Sequence, residues 1–463
     1  MANSAAGEQA FLDWFKAAPG ATVHASVGLT DFGSMGRGAM ALDDIESDTL
    51  LFSIPRPILL TTSTSALPAL LPPDAWSELG GWTPLILSMM YEYLRTETWK
   101  PYFALLPKEG TFHSLMFWSD DELAELKGSI VLNKIGRDEA DEVFVSTVKP
   151  FVEAHRSVFG NPDDYTLELF HLCGSWVLSR SFHVDHKEEE EKDEDEDSDE
   201  EEEEREDVAD VAMVPFADLL NAKSGCDNAR LFYEPQTLNM MSTQRIPAGE
   251  QIFNTYADPP NSDLLRRYGH VDEVNDADLV EIGLEMVVDM VGEAAGLEEE
   301  ERETRAEWLL EVGLDDTFSV ETNHVVPPEL VAAVKTFLLP SADFAKAQKK
   351  ESPPKGKLDA PSAEWVRKIL DQRLAEYDTS IEDDEALLQD TTLPLRKRMA
   401  VIVRLGEKRI LRATRQQLDL AFPAGGAGGS TLKADKKEKK RSRDGKDGAG
   451  ASGKTGKKAK VVK

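Results

Sequence analysis

The order of strand-like and helix-like segments constrains the fold of this 463-residue chain more than any other feature. Between residues 23 and 61, short apolar stretches are broken by Gly, Asp and Pro, which predicts short strands and turns. Residues 73–182 carry apolar side chains at helical spacing. Short strands return at 229–256, separated by turn signals, and the pattern is helical again after Asp276. The sequence therefore predicts an α+β protein in which a helical insert splits a β-rich unit and a helical block follows.

These patterns also give domain boundaries. An N-terminal helix is expected at 1–22, and a β-rich domain at 23–275 contains the helical insert at 65–182. An all-α domain is expected at 276–422, where it ends in a long basic amphipathic stretch.

Charge is distributed unevenly along the chain. The net charge is −34, and residues 187–207 hold 17 acidic and 3 basic side chains, whereas residues 433–463 hold 13 basic and 4 acidic ones. Both segments have too little apolar surface to fold, so we predict a disordered acidic loop at 185–208 and a disordered basic tail at 423–463. The rest of the chain is acidic too, which disfavours nucleic acid and favours a basic protein partner. Acidity also aids solubility, and this is the simpler alternative.

Several classes of function lack a signal in the sequence. The His and Cys residues do not have metal-ligand spacing, no Gly-rich phosphate loop joins a strand to a helix, and no Gly-x-Ser-x-Gly elbow occurs. We therefore expect no metal. The apolar stretches are too short to span a bilayer, the first ten residues do not resemble a signal peptide, and there are two cysteines. An intracellular protein without a membrane partner is expected.

The residues that carry chemical information lie between 215 and 269. DLLNA at 218–222 is followed by the strand-like GEQIFNTY, which ends at Tyr256, and then by Tyr268 before a glycine. This segment resembles the catalytic half of a SET domain, in which an Asn-His-type motif and a downstream Tyr form a knotted cofactor site. GRGAMA at 36–41 and LFSIP at 51–55 resemble the N-terminal strand pair of the same domain.

Two further segments resemble one subfamily of SET-domain proteins. WKPYFALLP at 99–107 is similar to the helical insert of the Rubisco large-subunit methyltransferases, and VRLGEKRIL at 403–411 resembles their substrate-binding domain. The chain is identified as a member of this subfamily of protein-lysine methyltransferases. The resemblance implies a β-rich SET domain split by a helical insert and followed by an all-α substrate-binding domain. Within the subfamily, LNA at 220–222 and PNSDLLRRYG at 260–269 resemble the fungal ribosomal lysine methyltransferases.

The resemblance also implies a cofactor and a site. The cofactor is S-adenosyl-L-methionine (AdoMet), with a binding set of Met35, Gly36, Arg37, Gly38, Arg180, Asn221, Ala222, Tyr256 and Tyr268. Tyr256 is the expected catalytic residue, and Asp218, Tyr256 and Tyr268 are the expected substrate-binding residues. Ala222 stands where the family commonly has His. Because this position mainly offers main-chain contacts to the cofactor, activity is expected to survive the change.

The chemistry of methyl transfer to lysine explains why a tyrosine is expected in the site. A free lysine has a pKa of about 10.4 and is mostly protonated at neutral pH, so the site must desolvate the amine and orient it. A tyrosine hydroxyl can orient the amine without attacking the methyl group. Each residue also has a structural alternative. Tyr256 and Tyr268 can be packing aromatics. Asn221 can hydrogen-bond to its own backbone in a turn, and Asp218 can cap a turn. Arg180 can be a surface residue that pairs with the acidic loop.

We therefore expect an AdoMet-dependent protein-lysine N-methyltransferase. Its expected substrate is a basic protein, a ribosomal protein of the large subunit, and the enzyme is expected to be a monomer without direct contact to nucleic acid. One alternative is methylation of a transcription-factor or other nuclear protein, as by metazoan members of the subfamily; another is a catalytically inactive SET-fold binding protein. A histone chaperone would explain the acidic run but not the motifs. The basic cluster at 436–443 resembles a nuclear localisation signal or a solvated tail, so we expect the nucleus, with the cytoplasm as a second location.

Overall fold

The structure is a computed structural model that describes residues 2–108, 110–184, 211–223 and 225–423. The predicted acidic loop at 185–208 and the tail beyond residue 423 lie outside the described residues. In the part that is described, no helix combines the length and apolarity needed to cross a bilayer.

Short strands build the β-rich domain. Their bounds are β1 (Thr22–Val23), β2 (Val27–Asp31), β3 (Arg37–Ala41), β4 (Leu50–Pro55), β5 (Ser181–His183), β6 (Val211–Met213), β7 (Ala229–Tyr233), β8 (Thr237–Ser242) and β9 (Gln251–Ile252). They form antiparallel sheets with the orders β1-β4-β8-β7, β2-β3-β9 and β5-β6. Leu238 and Met240 of β8 point into the core, since successive side chains of a strand face opposite sides. Strands from both ends of the domain thus share one core.

Helices precede and split this strand set. They are α1 (Ala2–Ala17), α2 (Pro73–Ser77), α3 (Thr83–Arg95), α4 (Lys100–Phe103), α5 (Asp120–Ala124), α6 (Arg137–Val143), α7 (Lys149–Ala154), α8 (Arg156–Phe159) and α9 (Leu167–Arg180). Helices α3 and α9 pack against each other. Helix α9 begins where the Thr166 hydroxyl accepts a hydrogen bond from the Leu169 amide, which satisfies one of the free N–H groups of the first turn.

Two predicted boundaries need correction. Helix α1 ends at Ala17 rather than at residue 22, because Thr22 already pairs with Ser53 in the first sheet. The helical insert ends at Arg180 rather than at residue 182. The next residues form β5, in which Phe182 pairs with Ala212 of β6. Pro19 and Gly20 form the turn that separates helix α1 from β1, whereas at 181–183 the pairing with a distant segment ends the helical insert.

The C-terminal domain is helical, as predicted, and carries one additional strand pair. After α10 (Asn261–Asp263) its helices are α11 (Leu284–Val287), α12 (Glu299–Glu311), α13 (Pro328–Leu338), α14 (Ser341–Gln348), α15 (Ala360–Ala375), α16 (Ile381–Leu387) and α17 (Leu395–Ala421). The strands β10 (Leu279–Gly283) and β11 (Thr317–Glu321) pair antiparallel and bury Phe318 and Val320. The sequence pattern does not predict this pair. The predicted α+β fold class, with a split β-rich domain and a helical domain, is confirmed.

Buried charges on α17 join the two domains. The Arg404 guanidinium contacts the carboxylates of Asp384 on α16 at 2.7 Å and of Glu125 in the insert at 3.0 Å. One turn further along α17, the Glu407 carboxylate accepts hydrogen bonds from the Ser129 and Tyr377 hydroxyls, each at 2.6 Å. Because buried polar groups are costly unless they are paired, this network fixes how the helical domain sits on the insert.

Candidate active site

Two chain segments meet where the sequence predicts the site. The Asn254 amide donates a hydrogen bond to the Asn221 carbonyl at 3.0 Å, and Ala222 forms a parallel bridge with Asn254. The predicted strand at 251–256 is shorter than expected, because β9 ends at Ile252. Beyond it, the Asn228 side chain takes the place of a partner strand and accepts from the Phe253 amide at 2.8 Å. The extended segment nevertheless brings Tyr256 beside the 220–222 segment.

Tyr256 is held by one hydrogen bond and one ring contact. Its hydroxyl donates to the Leu220 carbonyl at 2.9 Å, and its ring stacks on Tyr268 with a centroid separation of 4.3 Å and an interplanar angle of 11°. Burial is the main cause that raises the pKa of Tyr256 to about 12, so the phenol is neutral at physiological pH. Since its proton is directed at Leu220, the oxygen presents lone pairs to any donor that approaches.

The stacking defines what Tyr268 can do. At 4.3 Å the two rings are in van der Waals contact, and no alkyl chain fits between them. An alkyl chain could therefore reach Tyr256 only from another side, and the contact with Tyr268 fixes the plane of the Tyr256 ring. Burial raises the pKa of Tyr268 as well, so this second phenol also stays neutral. The structure brings the two predicted tyrosines together.

Gly38 lies under two side-chain amide nitrogens for which the described part of the chain offers no hydrogen-bond partner. A Cβ at this position would lie 2.6 Å from Gln251 Nε2 and 2.9 Å from Asn221 Nδ2. Both nitrogens are buried and make no hydrogen bond to any described residue. Buried N–H donors without partners are rare in folded proteins, so they mark a place where a polar ligand is expected. No sequence motif singles out Gln251. Its pairing with Met40 across β3 and β9 is the signal that places it here.

The other residues of segment 35–38 differ in what they offer to a ligand. Gly36 has φ 70°, a backbone conformation that favours glycine. Arg37 points away from Gly38, since its guanidinium contacts Glu8 at 3.2 Å and donates to the Leu105 carbonyl at 2.9 Å. Arg37 therefore offers its backbone rather than its side chain to a ligand. Met35 is exposed in the turn before β3.

Asp218 is buried against Tyr102, and its charge also acts on Tyr256. Its carboxylate accepts a hydrogen bond from the Tyr102 hydroxyl at 2.5 Å, and the residue is only 3% exposed. Burial, opposed by the charge of Arg180, raises the pKa of Asp218 to about 7. Arg180 donates to the Asp218 carbonyl. The direct contact predicted between Asp218 and an incoming lysine stays a prediction. In this structure the Asp218 carboxylate holds Tyr102, which no sequence motif singles out.

A pocket opens beside Tyr256. It is lined by Ala222, Lys223, Gly225, Asp227, Thr255, Tyr256, Ala257, Asp258, Pro259, Leu264, His270, Asp272 and Asn275. Two of the predicted site residues, Ala222 and Tyr256, belong to its wall. Among the described residues, no three His, Cys, Asp or Glu side chains are grouped to hold a metal ion. The pocket thus offers carboxylates, carbonyls and one imidazole beside a neutral phenol.

Family comparisons agree with this geometry. Residues 36–257 match the SET domain, and residues 297–411 match the Rubisco LSMT substrate-binding domain. The chain is 31% identical to the N-lysine methyltransferase setd6 of Danio rerio over 82% of its own length and 88% of that protein. It is 30% identical to SETD6 of Homo sapiens over 81% of the chain and 83% of that protein. It is 32% identical to ribosomal lysine N-methyltransferase 4 of Saccharomyces cerevisiae, but over 61% of this chain and 59% of that protein.

Solved structures show the same fold. The SET domain of LSMT bound to lysine and AdoHcy superimposes with a TM-score of 0.66 at 23% identity and covers 90% of this chain and 91% of that one. Rubisco LSMT bound to AdoMet gives a TM-score of 0.64 at 23% identity and covers 89% and 92%. The fold and the meeting of the 36–38, 221 and 256 segments define a SET-domain protein. The chain belongs to the SET-domain protein-lysine N-methyltransferases, in the subfamily that contains Rubisco LSMT and SETD6.

Proposed function

We propose that this protein transfers a methyl group from AdoMet to a lysine of a large-subunit ribosomal protein. The observation that carries the catalytic part is the convergence of the unpaired Asn221 and Gln251 amides, Gly38 and Tyr256 at one place. The ribosomal part rests on the likeness to the yeast relative and on the charge of the chain.

The residues around Gly38 fit the amino-acid end of AdoMet. The amide nitrogens of Asn221 and Gln251, which have no partner among the described residues, can donate to a carboxylate, and the missing Cβ of Gly38 leaves room for these two amides. Arg180 adds positive charge nearby, and its Nε makes no hydrogen bond to a described residue. A ligand that carries a carboxylate beside a sulfonium suits this set of donors. The roles of Met35 and Ala222 in binding rest on the resemblance alone.

AdoMet supplies a methyl group on an electron-poor sulfur, and the protein has to supply a neutral, aligned amine. Tyr256 can do the aligning, because its oxygen accepts a hydrogen bond from the lysine nitrogen while its own proton is held by Leu220. With its pKa raised to about 12, the phenol is not a base at neutral pH. The lysine proton must therefore leave to water before transfer, and removal of the amine from bulk water favours its neutral form.

The substrate proposal has two supports of different kinds. One relative is named a ribosomal lysine N-methyltransferase, and it shares 32% identity over 61% of this chain. The acidic chain, with its net charge of −34, attracts basic proteins, and ribosomal proteins are basic. A second candidate is a transcription-factor or other nuclear protein, because the SETD6 relatives cover more of this chain, 81% to 82%.

The cellular location of the enzyme is part of the same proposal. The cluster at 436–443 contains basic residues of the type that direct proteins to the nucleus. Large-subunit ribosomal proteins pass through the nucleus before assembly, so a nuclear enzyme, present in the cytoplasm as well, would meet its substrate there.

The test is methylation of separated ribosomal proteins and, in parallel, of a nuclear extract freed of ribosomes, with isotopically labelled AdoMet. We expect one large-subunit protein to take up label from the native enzyme and none from Tyr256→Phe, with mass spectrometry giving the modified lysine. Label in nuclear non-ribosomal proteins only would favour the second candidate. A folded protein that binds AdoMet but labels nothing would support an inactive SET-fold binding protein instead.

A further inference from the structure

A buried tyrosine and a buried carboxylate form a pair near Tyr256. The Tyr102 hydroxyl donates to one carboxylate oxygen of Asp218 at 2.5 Å, although 116 positions of the chain separate the two residues. Both side chains are buried, Tyr102 completely. The second carboxylate oxygen of Asp218 is buried as well and makes no hydrogen bond to a described residue. Tyr102 is therefore the partner that fixes this carboxylate in place.

The charges around this pair keep Tyr102 a donor. Burial, followed by the charge of Asp218, raises the pKa of Tyr102 well above its usual value, so the hydroxyl retains its proton. Burial also raises the pKa of Asp218 to about 7, although the charge of Arg180 on α9 and the hydrogen bond from Tyr102 both lower it. The Arg180 guanidinium itself donates to the Asp218 carbonyl. The Tyr102 hydroxyl thus supplies an oriented contact to the carboxylate, whereas Arg180 contacts the backbone.

Asp218 belongs to a strained turn at residues 216–220. The turn begins at Phe216, whose φ of 83° is a left-handed conformation that residues other than glycine rarely adopt. Its ring packs on that of Phe52 with a centroid separation of 4.2 Å. A strained backbone persists only where the surrounding contacts hold it, and the hydrogen bond from Tyr102 to Asp218 is one of these contacts.

The same turn reaches the reacting centre. Leu220, two residues after Asp218, accepts the hydrogen bond from the Tyr256 hydroxyl at 2.9 Å. The next residue, Asn221, accepts from the Asn254 amide at 3.0 Å through its carbonyl. Because the Leu220 carbonyl directs the proton of Tyr256, a shift of the turn would also redirect the lone pairs that this phenol offers to an amine.

We propose that Tyr102 is a positioning residue for methyl transfer: its hydroxyl fixes the Asp218 carboxylate and thereby the turn that holds the proton of Tyr256. The inference rests on the proposed function and adds a residue to it. Tyr102 is fully buried, so it acts through Asp218 and Leu220 rather than by touching a ligand. Trp14 of α1 stacks on its ring with a centroid separation of 6.5 Å and an interplanar angle of 16°. The ring should therefore stay in place when only the hydroxyl is removed.

A double-mutant cycle tests whether Tyr102 acts through Tyr256. The rate of methyl transfer per folded molecule and KM are measured for the native enzyme, Tyr102→Phe, Tyr256→Phe and the double variant, on whichever protein the native enzyme labels. We expect Tyr102→Phe to lower the rate about tenfold and to change KM less than about twofold, since misplacement of a reacting group costs up to roughly 10²-fold. In the Tyr256→Phe background the same change should have almost no further effect, because the hydroxyl that Tyr102 positions is gone. Equal fold losses in both backgrounds, or no loss in either, would overturn the inference.

Tyr377→Phe is the matched control. The Tyr377 hydroxyl also donates to a buried carboxylate, that of Glu407, at 2.6 Å, but it does so in the helical domain. This variant should lose a similar amount of thermal stability and keep the native rate of methyl transfer. If it lowered the rate as much as Tyr102→Phe does, the effect would be one of stability, and the positioning role would be refuted.

A nuclear magnetic resonance titration tests the contact without methylation. The charge of Asp218 acts on Tyr256, so an isotopic label on the ring carbon that bears the Tyr256 hydroxyl should show an inflection near pH 7 in the native protein, where Asp218 titrates. Because the Tyr102 hydroxyl lowers the pKa of Asp218, this inflection should move to higher pH in Tyr102→Phe. It should be absent in Asp218→Asn and unchanged in Tyr377→Phe.

The two experiments separate this inference from the proposed function. An inflection at the native pH in Tyr102→Phe would overturn the inference, whatever the enzyme methylates. If the native enzyme methylates no protein but the inflection moves in Tyr102→Phe, the proposed function is refuted, and the anchoring of Asp218 by Tyr102 is supported.

Discussion

Replacement of Tyr256 by Phe is the sharpest test of the site. The change removes one oxygen and leaves the ring, which stays stacked on Tyr268 at 4.3 Å. Two functions of the hydroxyl are lost together: the hydrogen bond to the Leu220 carbonyl at 2.9 Å, and the lone pairs offered to the substrate amine. The first affects stability and the second affects the rate, so the two effects can be measured separately.

The structure sets the size of each effect. Leu220 is fully buried, and its carbonyl loses the Tyr256 donor, which costs about 1–3 kcal/mol of folding free energy. Loss of one positioned polar group at a reacting centre lowers kcat by about 10²–10³, or about 2.7–4 kcal/mol. AdoMet affinity should change little, because the proposed contacts of its carboxylate lie at Asn221 and Gln251.

The assay is single-turnover methylation with labelled AdoMet, expressed per folded molecule, with calorimetry for AdoMet binding and thermal unfolding for stability. Tyr165→Phe is the control, since Tyr165 is buried in the insert and its hydroxyl has no hydrogen-bond partner among the described residues. It should change neither rate nor stability appreciably. A Tyr256→Phe protein that is less stable but methylates at the native rate would show that Tyr256 is a packing residue and that the reacting centre lies elsewhere.

Three further outcomes are expected. Gly38→Ala places a methyl group 2.6 Å from the Gln251 amide nitrogen, so calorimetry should show AdoMet binding weakened at least tenfold, and folding should cost about 1–3 kcal/mol. An unchanged Kd would show that the cofactor does not bind at Gly38. Burial raises the pKa of Glu407 to about 7, so the native protein should lose stability relative to Glu407→Gln as pH rises from about 4.5 to 7. Melting temperatures of both proteins across this pH range check the trend, and a constant difference between them would contradict it. Deletion of residues 424–463 should preserve peptide methylation and shift a fluorescent fusion to the cytoplasm, and an unchanged distribution would remove the nuclear assignment.

Local pattern was enough to predict the type and order of the elements. Apolar residues such as Leu85 and Met89 recur at helical spacing and lie buried on α3, and the turn before Gly249 separates β8 from β9 as expected. The order of the motifs was enough to predict the family. These features could be read from the sequence because periodicity and turn chemistry are properties of neighbouring residues.

Long-range contacts decided the rest. Asn228 ends the strand that the sequence extends to Tyr256, since its side chain replaces a partner strand at Phe253. Asp218 resembles a substrate carboxylate in the sequence, but the fold buries it against Tyr102.

The sequence by itself determined that Tyr256 and Asn221 belong to one site, because both stand in motifs whose order specifies a SET domain. Only the tertiary structure decided that the Gln251 amide joins Asn221 over Gly38, and that a pocket rich in carboxylates opens beside Tyr256. The physical reason is that a residue's chemistry is set by which groups the folded backbone leaves unpaired around it. That pairing depends on segments more than 200 residues apart, as with Met40 and Gln251, so it is absent from any local stretch of sequence.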